Sequence, residues 1–329
     1  MSKVSVLIAA YNTESYLHQC LGSLLRQTLV DFEAICVDDA STDGTPQLLD
    51  EYALSDSRFH VIHLDENGGQ ANARNIALSL ASGDYVCMLD SDDWMSDDAL
   101  ELAAGMLDRH PDMDCVLFQV EEVYADHRRR YPMPSFERMS GQQAFEASLT
   151  WDIHGLYMLR NALHQQYPYD DSSRAYSDDN TTRIHYLRSR SVGQCGGIYY
   201  YRQHEGSVTH CVSVRHFDYL RANESMKRQM LSEKVEERLL DVYERERWLN
   251  LIDCYLYYTL HRRELSSADC RYALSEMRRV WGGIEVCRLP LGLRCKPGYI
   301  PLRPCWLLFR LQEEIYFALR KIFRRNMRI

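Results

Sequence analysis

The sequence predicts an α/β fold: a mostly parallel sheet flanked by helices, with a helical extension after it. Three observations predict this. From residue 3 to about 120, short apolar runs alternate with segments whose apolar residues recur at helical spacing. Acids follow two of the apolar runs directly, where the loops of a parallel sheet gather. The chain has 329 residues and is 46% hydrophobic, enough to bury a sizeable core.

The elements run in order. Val4 to Ala9 reads as a buried strand, and Ser15 to Leu29 carries Leu17, Leu21, Leu24 and Leu25 at helical spacing. Phe32 to Val37 is a second strand, and Thr45-Pro46 opens a second helix. Phe59 to Leu64, Tyr85 to Leu89 and Cys115 to Val120 complete the strands. Ala71 to Ala81 and Asp97 to Arg109 complete the helices. Repeated β-α order implies right-handed crossovers and strand ends that share one edge.

Acids cluster at that edge. Asp90, Asp92 and Asp93 follow the fourth strand. They repel one another at neutral pH unless a cation or several donors stand near. Mg²⁺ or Mn²⁺ suits such a cluster, with phosphate and water filling the remaining positions. The competing reading is a polar turn that caps the helix near Asp97. Asp38 and Asp39 follow the second strand. Asp43 or Thr45 can cap the next helix, but Asp38 and Asp39 have no such local task. One of them could accept the imide N–H of a uracil ring. Gly68-Gly69 turns into a helix whose N-terminus favours phosphate, and Arg74 lies one turn in.

Val4 to Asn12, Val37 to Thr45, Ala73-Arg74-Asn75 and Leu89 to Asp93 together resemble glycosyltransferase family 2, of the bacterial polysaccharide type. The likeness is close over residues 3 to about 115 and loose to about 212. It implies a Rossmann-like GT-A fold and an inverting, nucleotide-sugar-dependent enzyme. It further implies that the Ala9 backbone, Tyr11 and Asp39 hold the base, with Asp38 beside it. Arg74 is then on the diphosphate side. Asp90, Ser91 and Asp92 form the family's D-x-D, with Asp90 and Asp92 the metal residues for Mn²⁺ or Mg²⁺ and Asp92 the foremost direct ligand. The family has a Glu-Asp pair where this chain has Asp178-Asp179. By position Asp179 is the catalytic base and Asp178 its partner, with an N-cap at Asp178 as the structural alternative. His204, in the segment Tyr199 to Thr209, is a further metal-ligand candidate, and Arg202 a structural ion-pair partner. No Gln-x-x-Arg-Trp motif is present, so the expectation is single addition by a hexosyl- or N-acetylhexosaminyl-type enzyme rather than processive synthesis.

The rest of the chain is less informative. His127 to Arg130 and Pro132/Pro134 suggest an exposed loop, and Trp151 reads as a core residue ahead of the alternative, a sugar platform. The expected divisions are a catalytic domain at 1–217 (nucleotide-sugar half about 1–115, acceptor half about 116–217), a helical accessory region at 218–285, and a Pro-rich basic linker with an amphipathic helix at 286–329. Net charge is −9, yet ten Lys/Arg against two Asp/Glu from Val286 onward leave +8 there and −17 in the body. An acidic body argues against nucleic acid as partner. The basic helix fits an anionic membrane surface, or packs on the body with a basic end that suits its own dipole. The 11 scattered cysteines read as reduced thiols, and no run of 18 apolar residues is present. The expected partners are a nucleotide-sugar donor and a glycan or lipid-linked acceptor. The expected location is cytoplasmic, peripheral on the inner face of the plasma membrane. Two rival readings remain. A nucleotidyltransferase making a sugar nucleotide would want Gly or Arg in Ala10 to Glu14, which has neither. A non-catalytic sugar- or partner-binding module on the same fold would not need acids at all three sites.

Overall fold

Strand β1 (Val4–Ala10) lies at the heart of the sheet because its residues are apolar on both faces. Val4, Val6 and Ile8 pack with Leu17, Leu21 and Leu24 of α1 (Glu14–Leu25) and with Leu100, Ala103 and Leu107 of α4 (Ala99–Arg109). Leu7 points the other way, into Ala73, Ala77 and Leu78 of α3 (Gln70–Leu80). The structure, a computed structural model, describes residues 3–171, 176, 178–204, 212–303 and 305–322.

Strands β2 (Phe32–Asp38) and β4 (Tyr85–Met88) flank β1 in parallel, and β3 (Phe59–His63) extends the sheet beyond β2; α2 (Thr45–Ser55) connects β2 to β3. The register places Ala10 beside Asp38, and Asp38 beside His63. The acid turns therefore do leave from one edge.

The sheet is less regular than uniform β-α alternation predicts. Two-residue β5 (Trp94–Met95) follows the Asp90 turn, and β6 is longer than expected (Cys115–Val123). The Arg-rich stretch predicted as a loop is a short exposed strand, β7 (Arg128–Arg130), paired with β6. Next come β8 (Arg138–Ser140), α5 (Gly141–Leu149), β9 (Tyr157–Arg160), α6 (Asn161–Gln166), α7 (Asp178–Arg188) and β10 (Ser191–Arg202). The sheet order is β3-β2-β1-β4-β9-β6-β10-β5. Strand β9 runs antiparallel to both β4 and β6, so the sheet is mixed. Trp151 is a correction as well. It is only partly buried, in a turn at φ 58°, with the Arg183 guanidinium 4.5 Å from its ring centroid. Cys36, Cys87 and Cys115 are buried free thiols, and burial pushes Cys36 and Cys87 up to about 12.

Contacts divide the chain into Met1–Ser207 and Val208–Ile329, earlier than the boundary expected at 217. The second unit contains α8 (Tyr219–Ser232), α9 (Glu237–His261), α10 (Ser267–Gly283), α11 (Leu291–Arg294) and α12 (Trp306–Ile322). One core joins Trp248, Tyr255, Trp281, Leu289, Phe309 and Phe317. The segment read as a linker is thus packed: Leu289 is buried, and the Tyr299 carbonyl accepts from Trp248 Nε1 at 3.0 Å. Among the described residues no helix is long and apolar enough to cross a membrane.

Helix α12 docks through Phe309, Glu313 and Phe317. Glu313 is fully buried, its Oε2 meets no donor among the described residues, and burial pushes its carboxyl up to about 8. A carboxyl raised above its unfolded value of about 4.3 favours folding most when protonated. That contribution is lost as pH rises from there through about 8. Glu313→Gln should therefore melt progressively higher than the parent between pH 5 and pH 8, by a few degrees at the alkaline end, as thermal melts across that range would show.

Candidate active site

Asp39 holds the turn that begins α3. Its two carboxylate oxygens accept from the Gly68 and Gly69 amides at 2.7 and 2.8 Å, and its carbonyl accepts from Asn67 Nδ2 at 3.1 Å. Gly69 sits at φ 89°, a backbone conformation that side chains with a Cβ rarely adopt. Asp38 accepts from the Ser41 amide at 3.1 Å and pairs with His63 Nδ1 at 3.1 Å. Both acids therefore have local structural tasks, contrary to the sequence reading. Their oxygens keep further lone pairs for a ligand. Ala9 pairs with Val37 one residue before the end of β1, and Tyr11, just after the strand, has 44% of its surface exposed.

Arg74 is the central surprise. An arginine on a helix is ordinarily a solvated charge, yet this one is 1% exposed. Its Nη2 donates to Asp90 Oδ1 at 2.5 Å and its Nη1 to Asp178 Oδ2 at 3.2 Å, while the guanidinium lies 5.4 Å from the Tyr169 ring centroid. Burial works against its charge, but Asp90 and Asp178 outweigh that and raise its pKa. Gln70, in the first turn of α3, adds a donor to Asp90 Oδ1 at 3.1 Å. One helix thus ties the acid turn after β4 to the acid pair at the start of α7.

The acid turn is braced from β10. The Asp90 amide donates to the Tyr199 hydroxyl at 3.0 Å, and the Arg202 amide donates to Asp93 Oδ1 at 2.7 Å. Arg202 Nε donates to the Asp92 carbonyl at 2.7 Å, with the guanidinium between the Trp94 and Tyr16 rings at 4.6 and 5.0 Å. Arg202 is a structural cation here, bonded to a carbonyl rather than to a carboxylate. Ser91 is buried in the same turn. Burial, offset by Arg74 and reinforced by Asp92, raises Asp90, and burial with both neighbouring acids raises Asp93 well above the usual range. His204 meets the turn from outside. Its Nε2 lies 3.0 Å from Asp92 Oδ2 and its Nδ1 3.2 Å from the Tyr16 hydroxyl.

Asp178 and Asp179 open α7, which is locked from behind. His185 Nε2–H donates to the Tyr167 carbonyl at 2.7 Å, so Nδ1 is left to accept from the Tyr157 hydroxyl at 2.6 Å. Burial and then the Asp178 charge push Asp179 up to about 7, against the opposing pull of Arg183. Sequence reasoning missed Gln70, Tyr16 and Tyr199. Gln70 and Tyr16 each stand in the first turn of a helix at the sheet's ligand edge, a signal that could have found them.

Comparison with known proteins gives this arrangement a family. The description "Glycosyl transferase family 2" matches residues 5–168. This domain belongs to glycosyltransferase family 2. Glycosyltransferase GlyG of Streptococcus pneumoniae is 26% identical over 226 residues, 62% of this chain and 72% of GlyG. The poly(ribitol-phosphate) β-N-acetylglucosaminyltransferase TarS of Staphylococcus aureus is 27% identical over 245 residues, 72% of this chain but only 42% of TarS. A crystal structure of TarS residues 1–349 with UDP-GlcNAc superposes with a TM-score of 0.72 at 21% identity, covering 96% of this chain and 92% of that one. The fold is therefore GT-A, with a helical region after the catalytic domain.

Family 2 chemistry commonly engages a divalent cation, and the donor set fits one. Asp92 and His204 present an oxygen and a nitrogen side by side, next to the raised carboxyls of Asp90 and Asp93. Among the described residues no three His, Cys, Asp or Glu side chains form a ready cage. Such an open pair suits Mg²⁺ or Mn²⁺ completed by phosphate oxygens and water.

Proposed function

We propose that this family 2 chain moves one sugar from a UDP-sugar to a hydroxyl of a glycan or lipid-linked acceptor, with inversion, in the synthesis of a cell-surface polysaccharide. The observation that supports this most is the Arg74 tie, which joins the D-x-D turn to the Asp178-Asp179 pair. A nucleotidyltransferase or a binding module has no need of a buried cation holding those two acid turns together. The relatives add weight, since TarS is named for N-acetylglucosaminyl transfer and its structure contains UDP-GlcNAc.

Tyr11 offers its exposed ring to the base, with the Ala9 backbone, Asp38 and Asp39 at its polar edge. Asp92 and His204 would hold the divalent cation, with Asp90 and Ser91 alongside. A bound divalent cation neutralises charge on the departing diphosphate. Arg74 acts as a positioning residue in place of the diphosphate contact expected from sequence, because both of its carboxylate partners and its burial hold it in the interior. Asp179 takes the proton of the acceptor hydroxyl, whose oxygen bonds to the anomeric carbon from the face opposite the diphosphate. The bond from that carbon to the diphosphate oxygen breaks, and UDP leaves with the electron pair.

The test is UDP release from purified chain given Mn²⁺, a panel of UDP-sugars and a lipid-linked or glycan acceptor mixture. Release with one donor, stimulated by acceptor, is expected. Pyrophosphate formation from UTP and a sugar phosphate would instead identify a nucleotidyltransferase. An acceptor carried on an anionic membrane, reached from the cytoplasmic face, completes the reading.

A further inference from the structure

Helix α12 carries two apolar faces. One is the docked face of Phe309, Glu313 and Phe317, spaced four apart. The other is made of Leu307, Leu308, Leu311, Ile315, Leu319 and Ile322, which expose between 47% and 71% of their surface. At roughly 100° per residue the second set lies on the far side of the helix from the first. It forms a stripe roughly 120° wide, wider than the seam of a two-stranded coiled coil. Six large aliphatic side chains in one unbroken row exceed the scattered exposure normal for a surface helix.

Charge decides among the occupants. Lys321 is exposed at the end of the stripe beside Arg320, and Arg324, Arg325 and Arg328 follow in sequence. From Val286 onward the chain carries +8. Parallel pairing with a second copy would bring two such basic runs together. An anionic lipid surface takes the aliphatic row into its acyl boundary and meets the basic run with headgroup phosphates.

We propose that α12 is a two-faced anchor: Phe309 and Phe317 fasten it to its own domain, while the stripe from Leu307 to Ile322 lies in the interface of an anionic membrane. The membrane reading and the docked reading of this helix are then both true, each for one face. The inference deepens the proposed function by naming the surface that brings the chain to a membrane-borne acceptor. Its test contains no sugar nucleotide, so failure here leaves sugar transfer itself unaffected.

The experiment is flotation of the purified full chain with vesicles of phosphatidylcholine, with and without about one-third phosphatidylglycerol, beside the L311E/I315E variant. Both substituted residues are exposed, so the melting temperature of the variant should match the parent's. The parent should float with the anionic vesicles and stay behind with neutral ones, and the variant should lose binding at least about tenfold, as expected for removing apolar area and adding like charge to the lipid's. Equal flotation of parent and variant would overturn the proposal. So would light scattering that shows a parent dimer lost in the variant, since a second copy would then occupy the stripe.

Discussion

Asp179→Asn should abolish sugar transfer while the chain stays folded and binds UDP with unchanged affinity. A positioned general base typically contributes about 10²–10⁴-fold, and the amide cannot accept the hydroxyl proton as a carboxylate does. Asp179 stands in the first turn of α7, which is held through His185 by the Tyr157 hydroxyl and the Tyr167 carbonyl, so the substitution leaves the scaffold alone. The pH profile gives an independent reading of the same group. Burial and Asp178 hold its carboxyl up to about 7, above the usual carboxylate range. Below that value the base is protonated and idle. The transfer rate should therefore climb as pH rises from roughly 6 to 8 and then level off. Initial rates across that range, paired with calorimetric UDP binding for the variant, check both. A variant that transfers normally would move the base elsewhere. One that loses UDP binding along with its fold would make Asp179 structural.

Arg74→Met should unfold the chain far more readily than an ordinary surface substitution. Removing one partner of a buried ion pair costs about 3–5 kcal/mol, because the remaining charge is left uncompensated. Here two carboxylates, Asp90 and Asp178, lose their shared cation. Adding Asp178→Asn to Arg74→Met should restore part of the loss, since one of the stranded charges is then gone. Urea unfolding of the parent, the two single variants and the double variant measures the coupling. Full stability of Arg74→Met together with lost UDP affinity would make Arg74 a diphosphate ligand.

The first 115 residues were legible in the sequence because β1, β2 and β4 are apolar on both faces and the helices between the strands keep one apolar face. The acid turns were legible because carboxylates directly follow two of the apolar runs, at the edge where the loops of a parallel sheet gather. Other features left no local trace. Strand β9 is only four residues, Tyr157-Met158-Leu159-Arg160, and its antiparallel place between β4 and β6 is set by distant partners. Arg74 reads as a surface charge until two acids, sixteen and 104 residues away, are seen to close over it. Asp38 and Asp39 look idle in sequence because their donors belong to the Ser41 and Gly68-Gly69 turns and to His63. In α12 the aliphatic spacing was visible, but its face could be told from the docked one only by seeing Phe309 and Phe317 inside the core.

A crystal structure with UDP and Mn²⁺, read through the anomalous signal of manganese, meets the central claim head on. The account predicts a manganese peak bonded to Asp92 and flanked by His204, the diphosphate against it, and the uracil at Tyr11 and Asp39. A nucleotide bound elsewhere, or a manganese peak remote from Asp92, would contradict it.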